Sequence, residues 1–296
     1  MRWQGQRESD NVEDVRGAGG GGGGMGGLRI GGGGLSLGGV VVALVLGWVL
    51  GINPLALLGL VDGGSAPAQQ QQQQREAAPS HPTDERARFA SVVLADTEDV
   101  WGAIMSRSNR AYTPPRMVLF RGQTRTACGL GEAAAGPFYC PGDRKVYIDL
   151  AFFDVMAQRL GAPGDFAQAY VIAHEVAHHV QTELGITQRV DAQRQRLSQA
   201  QNNAMSVRLE LQADCFAGVW AHHSQRGKNW LEAGDIEEAL HAASQIGDDT
   251  LQRRSRGTVV PESFTHGSSA QRVQWFKRGL QSGQPAQCNT FETAGS

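Results

Sequence analysis

The chain has 296 residues, with 27 Lys and Arg against 29 Asp and Glu and a formal net charge of −2. That near balance, with no basic stripe, excludes the electrostatic footprint of a nucleic-acid binder. Cysteine is sparse, at four residues, all of them in the second half of the chain or just before it. A disulfide-dense mini-scaffold is therefore excluded as well.

The N-terminal part is low in complexity. Residues 17–34 are Gly-rich and cannot bury enough apolar surface to offset the entropy of ordering, so 1–34 reads as a disordered tail. No charged residue lies between Arg29 and Asp62, and Leu35 to Val61 is predominantly apolar. About 20 such residues suffice to cross a bilayer. The run lies too far from Met1 for a normal signal peptide, so 35–61 is expected to be an uncleaved transmembrane signal anchor. Arg16 and Arg29 before it, against Arg75 after it, would leave the N-terminus cytoplasmic and the bulk of the chain outside a bacterial inner membrane. Gly47 and Gly51 form a G-x-x-x-G step, a small-residue face on which two copies could pair as a homodimer. Residues 62–83, which carry Gln69 to Gln74 amid Ala, Pro and Ser, read as a flexible linker.

Residues 84–296 remain, roughly two hundred, which is one ordinary domain. Phe89 to Trp101 reads as helix, Pro114 to Phe120 opens into a strand, and Lys145 to Asp149 is a second strand. Cys128 and Cys140 bracket a loop-like stretch and are expected to pair, which leaves Cys215 to Cys288. A second metal site on these cysteines has no C-x-x-C spacing to support it.

His174-Glu175-Val176-Ala177-His178 follows, inside a segment with an apolar stripe at helical spacing (Phe166, Ala169, Tyr170, Ala173, Ala177). Positions i and i+4 share a helix face, so both imidazoles can reach one ion. Glu175, offset by about 100°, can work on a bound water without being a ligand. Asp165 with Gln168 looks like a capping box, and Gly185 like a C-terminal stop. The bland alternative is a core helix with two satisfied histidines, but the i, i+4 pair bracketing a Glu argues against it.

Two histidines leave a catalytic zinc short of a third protein ligand. An H-x-x-G-x-x-H extension is absent, since His178 is followed by His179-Val180-Gln181. Glu210 supplies the ligand from a second helix, and Asp214, four residues on, can orient a ligand histidine. Both carboxylates sit among Leu209, Leu211, Ala213, Cys215 and Phe216, which is no solvated acidic face. Residues 235–246 read as another helix, with Asp235 and Glu238 as its capping box. Near the end, in Phe264-Thr265-His266-Gly267-Ser268-Ser269-Ala270-Gln271-Arg272, His266 could stabilise an oxyanion. Its bland role is to precede the N-cap Ser268 of the last helix. Arg272 could pair with a buried carboxylate.

H-E-x-x-H followed by E-x-x-x-D resembles the gluzincin zinc peptidases, and the text around both motifs resembles the bacterial putative neutral zinc metallopeptidase family. The last block is similar to the T-H-P-x-x-x-x-R segment of membrane-bound gluzincins, with Gly267 in place of Pro. The resemblance covers the chain from about Asp84 onward and the anchored N-terminus. It implies a mostly helical α+β zincin-like domain with a small antiparallel sheet, preceded here by a single transmembrane helix. In zincins a strand placed like Lys145–Asp149 borders the cleft and can pair with an extended polypeptide substrate. The expected activity is a membrane-anchored zinc metallopeptidase, an endopeptidase in class, with one zinc ion on His174, His178 and Glu210. Glu175 and His266 would be catalytic, and Asp214 and Arg272 would support the site. The rivals are a non-catalytic zinc-containing binding module, which would have no use for Glu175, and a zinc hydrolase of a non-peptide cell-wall amide.

Overall fold

A computed structural model describes residues 1–17, 84–132 and 136–292. In chain order the elements are β1 (Val12–Asp14), α1 (Glu85–Arg107), β2 (Arg116–Phe120), β3 (Gln123–Thr126), β4 (Gly129–Glu132), β5 (Phe138–Cys140) and β6 (Lys145–Asp149). The helices α2 (Phe152–Arg159), α3 (Asp165–Glu183), α4 (Ile186–Arg194), α5 (Gln199–Lys228), α6 (Asp235–Gln245), α7 (Asp248–Arg256) and α8 (Ser269–Ser282) complete it. One sheet has the order β1-β2-β6-β5, and β3 and β4 form a separate antiparallel hairpin.

The main sheet is mixed, not antiparallel as expected. β1 pairs parallel with β2 and β2 with β6, and only β5 runs antiparallel, to β6. The reason is written in the strands. Met117-Val118-Leu119-Phe120 and Val146-Tyr147-Ile148 are unbroken apolar runs, all buried, as parallel strands covered on both faces are. Met117, Leu119, Val146 and Ile148 face the helical core, while Val118, Phe120 and Tyr147 join Cys140 in a second, smaller cluster. Lys145–Asp149 lies between two neighbours, so it cannot take a substrate strand; the edge on that side is β5.

Residues 1–17 correct the expected tail. β1 is a sheet strand in register with Met117–Leu119, Trp3 packs edge-on against Phe89 with centroids 5.4 Å apart, and the Met1 ammonium lies 2.9 Å from both Asp165 carboxylate oxygens. A single membrane crossing between residues 17 and 84 would put the two parts of this one sheet on opposite faces of a bilayer. Among the described residues no helix is long and apolar enough to cross a membrane. The segment 35–61, with Gly47 and Gly51, lies outside the described residues. The transmembrane signal anchor is therefore corrected, and with it the single-pass inner-membrane location. The fold is a mostly helical α+β domain with a small mixed sheet, to which the N-terminus belongs.

Two helix contacts position the site. The first is the start of α3, where the expected Asp165–Gln168 box does not form. Gly164 holds the cap position without a side-chain bond, and the Glu238 carboxylate accepts the Phe166 amide at 3.2 Å. A Cβ on Gly164 would lie 1.9 Å from that carboxylate, so the glycine admits a cap from α6. Glu238 is thereby withdrawn from the box expected at the start of α6. Gly185, at φ +69°, ends α3 as anticipated. The second contact is α5 against α8, where Gly218 and Gly279 let the backbones touch. A Cβ on Gly279 would meet the Cys215 carbonyl oxygen at 1.9 Å, and one on Gly218 the Phe276 carbonyl oxygen at 2.1 Å. Cys215 is also disulfide-bonded to Cys288 just beyond α8, and Cys128 to Cys140, the pairing expected.

Candidate metal centre

α3 presents His174 and His178 one turn apart, and α5 packs alongside with Glu210 between them. His174 Nε2 lies 3.1 Å from Glu210 Oε2, and His178 Nε2 lies 3.5 Å from Glu210 Oε1. Tetrahedral ligands at zinc bond lengths are spaced by about 3.4 Å. The two histidines and the glutamate, brought together as the sequence suggested, therefore fit zinc in both donor type and spacing.

Each imidazole is aimed by a bond on its other nitrogen. His174 Nδ1 donates to Asp214 Oδ1 at 2.9 Å, and His178 Nδ1 donates to Gln181 Oε1 at 2.9 Å, so both Nε2 atoms face the metal position. Asp214 is fully buried and also receives Arg272 in a two-pronged contact, Nε at 2.8 Å and Nη2 at 2.9 Å, with the Tyr170 hydroxyl donating to Oδ1. Burial alone would raise the Asp214 pKa, but the charges of Arg272 and His174 hold it down at about 2. Burial would likewise lower that of His174, yet Asp214 and Glu210 raise it to about 10. A histidine must lose that proton to ligate zinc. Glu210, though burial opposes it, stays well below the usual carboxylate range beside His178 and His174. Two imidazoles and a carboxylate that stays ionised are a donor set that could hold a divalent cation.

The chain matches the family model described as "Putative neutral zinc metallopeptidase" over residues 1–291. It belongs to that family. It is 56% identical over 295 residues to "Uncharacterized protein YpfJ" of Escherichia coli K12, covering 98% of this chain and 99% of that one. It is 40% identical over 255 residues to "Uncharacterized protein Rv2575" of Mycobacterium tuberculosis H37Rv, covering 80% of this chain and 85% of that one. No solved structure matches. The family match takes in the first 17 residues, in keeping with their place in the zinc metallopeptidase domain.

Glu175 sits beside the ligands, half-buried. Desolvation raises its pKa, against the attraction of His174 and His178 and a bond from the Tyr139 main chain. Tyr139 belongs to β5, the last strand of the sheet among the described residues, so that strand passes the general-base candidate. His266 is placed near Glu210 and held by Asp248. Its Nδ1 lies 3.3 Å from Asp248 Oδ1, while Asp248 Oδ2 accepts the amides of Thr265, His266 and Gly267 at 2.7, 2.6 and 3.0 Å. Burial would lower the His266 pKa, but Asp248 and Glu210 raise it. The expected Ser268–Gln271 capping box also forms, with His266 two residues ahead of its N-cap.

Sequence reasoning missed Gln181, Asp248 and His179. Gln181, three residues after His178, was findable from spacing alone, and it is locked by Nε2 donating to the Leu209 carbonyl at 2.7 Å. Asp248 gave no signal beyond an acidic helix start. His179 donates from Nε2 to the Thr113 carbonyl at 2.7 Å and accepts the Tyr139 hydroxyl on Nδ1 at 3.2 Å. Burial lowers its pKa to about 4. As a neutral strut it ties β5 to the metal helix.

Proposed function

We propose that this protein hydrolyses peptide bonds as a one-zinc metallopeptidase. The observation that carries the reading is the Glu175 carboxylate placed beside the His174–His178–Glu210 set, since a purely structural zinc site has no use for a base. Zinc, when bound, acidifies a water toward neutrality and polarises a carbonyl. Glu175, with its pKa raised by burial, accepts the proton of the attacking water and delivers it to the leaving amine. His266, aimed by Asp248, offers a proton to the oxygen on which charge develops. An extended polypeptide lies along β5, beside Glu175, where main-chain groups of that strand fix its register. His179 and the Cys128–Cys140 bond hold that strand in place.

Elemental analysis and a peptide-library digest of the full chain, wild type and Glu175→Gln, test this. Stoichiometric zinc in both, with cleavage only by the wild type, is the expected result. Zinc in both with no cleavage by either would leave the non-catalytic binding module.

A further inference from the structure

Away from the metal centre, the C-terminal ends of α1, α5 and α8 and the end of α3 border an open cleft of about 560 Å³, within the usual size of small-molecule sites. Its floor is apolar, made by Trp101, Ile104, Met105, Leu184 and Pro285. Its rim carries Arg107, Arg110, Arg226, His222 and His223, and no carboxylate lines it. In a chain of net charge −2, that is a local concentration of one sign.

The rim is organised. His222 Nδ1 donates to the Leu280 carbonyl at 2.7 Å, and His223 Nε2 donates to the Gly283 carbonyl at 2.8 Å. Each ring is thus fixed with its second nitrogen uncommitted. Gly283, at φ +62°, permits this, since a Cβ there would lie 2.4 Å from the His222 ring. Arg226 lies one helical turn from both histidines, and Arg107 one turn from Ile104, so charge and apolar floor share a face. None of the three guanidinium groups pairs with a carboxylate among the described residues. Cations in the last turn of a helix do complement its dipole, but that role asks for no apolar cleft between them.

We propose that this cleft binds a single-chain amphiphile with an anionic head, of the fatty-acid type, with its carboxylate on Arg107 and Arg226 and its chain on the half-buried Ile104 and Leu184. Guanidinium groups suit a carboxylate because they can bond both of its oxygens, and the floor gives a hydrocarbon chain a surface to leave water for. The site shares no lining residue with the metal centre and does not rest on the peptidase reading.

Calorimetric titration of the full chain with decanoate tests it. Decanoate should bind saturably below its micelle-forming concentration, and an Arg107→Ala, Arg226→Ala double variant should weaken binding at least tenfold. Ile104→Asp should do the same from the apolar side. Unchanged zinc content and far-ultraviolet circular dichroism in these variants would show that the fold is intact. Absence of saturable binding, equal affinity for the neutral decyl maltoside, or no effect of the double variant would each overturn the proposal. Inorganic phosphate binding as tightly as decanoate, with the same dependence on the arginines, would replace it with a plain anion site.

Discussion

At the scale of single residues, three side chains divide the work and can be separated by substitution. Glu175→Gln keeps shape and removes the proton acceptor, so peptide cleavage should fall by about 10²–10⁴-fold, with zinc content unchanged by elemental analysis. Asp214 acts through two partners, orienting His174 and neutralising the buried Arg272. Asp214→Ala should therefore cost stability as well as activity, about 3–5 kcal/mol in a denaturant titration, because it strands a buried guanidinium. Loss of activity with an unchanged unfolding midpoint would show that Arg272 finds another partner. His174 and His178 were legible as a pair because helical spacing puts positions i and i+4 on one face, whereas Glu210, on a second helix, was legible from its apolar surroundings and from the family pattern it resembles. Asp248 was not, because it reaches His266 across 18 residues through loop amides, a geometry that no periodicity encodes. Asp248→Asn should reduce turnover by about 10–100-fold, as orienting partners do, with zinc retained. Wild-type turnover would relieve Asp248 of any part in aiming His266.

At the scale of elements, the site is a contact between α3 and α5, braced by α8. The apolar stripe of α3 and the buried run of α5 were readable in the sequence, and Gly185 correctly marked where α3 stops. The direction of the strands was missed although the unbroken apolar runs of β2 and β6 are what strands covered on both faces show. The caps were misread as well. Asp165 and Glu238 carry the right residue types at the right spacing, but tertiary partners claim them first: the Met1 ammonium takes Asp165, and the Phe166 amide takes Glu238. Brace and site are coupled through two glycines. Gly279→Ala would push a methyl into the Cys215 carbonyl, one residue from Asp214. It should destabilise by about 1–3 kcal/mol or more and lower zinc affinity as Arg272 withdraws. A thermal midpoint equal to wild type would mean that the two helices can separate without strain.

At the scale of the whole molecule, the N-terminal segment is built into the domain that carries the metal centre, and its composition hid this. The Gly-rich sequence that follows it suggested a tail, and a three-residue strand is too short to announce itself by alternation. What fastens it is partly electrostatic. Arg16 bonds Asp14 beside it and Asp84, the N-cap of α1, across the gap in sequence. The Arg16 bond holds the Asp14 pKa below its ordinary 3.8, against desolvation. At Asp84 desolvation pulls upward, but Arg16 and the Ala87 amide outweigh it, and the pKa is again lowered. Depressed carboxyls bind fewer protons folded than unfolded near pH 4, so their stabilisation is complete above that pH and is lost as pH falls below it. The clasp should therefore open on the acid side. Hydrogen-exchange protection at Val15, whose amide donates to Leu119, and at Met117, whose amide donates to Asn11, should drop between about pH 5 and pH 3. Amides of α3 should hold. Arg16→Ala should lower protection at both strand positions at neutral pH and flatten its acid dependence, since the cation that bonds both carboxylates is then gone. If the strand amides keep full protection at pH 3, or if the variant follows the wild-type acid profile, the clasp contributes nothing. The segment would then be retained by Trp3, Val12 and the sheet bonds alone.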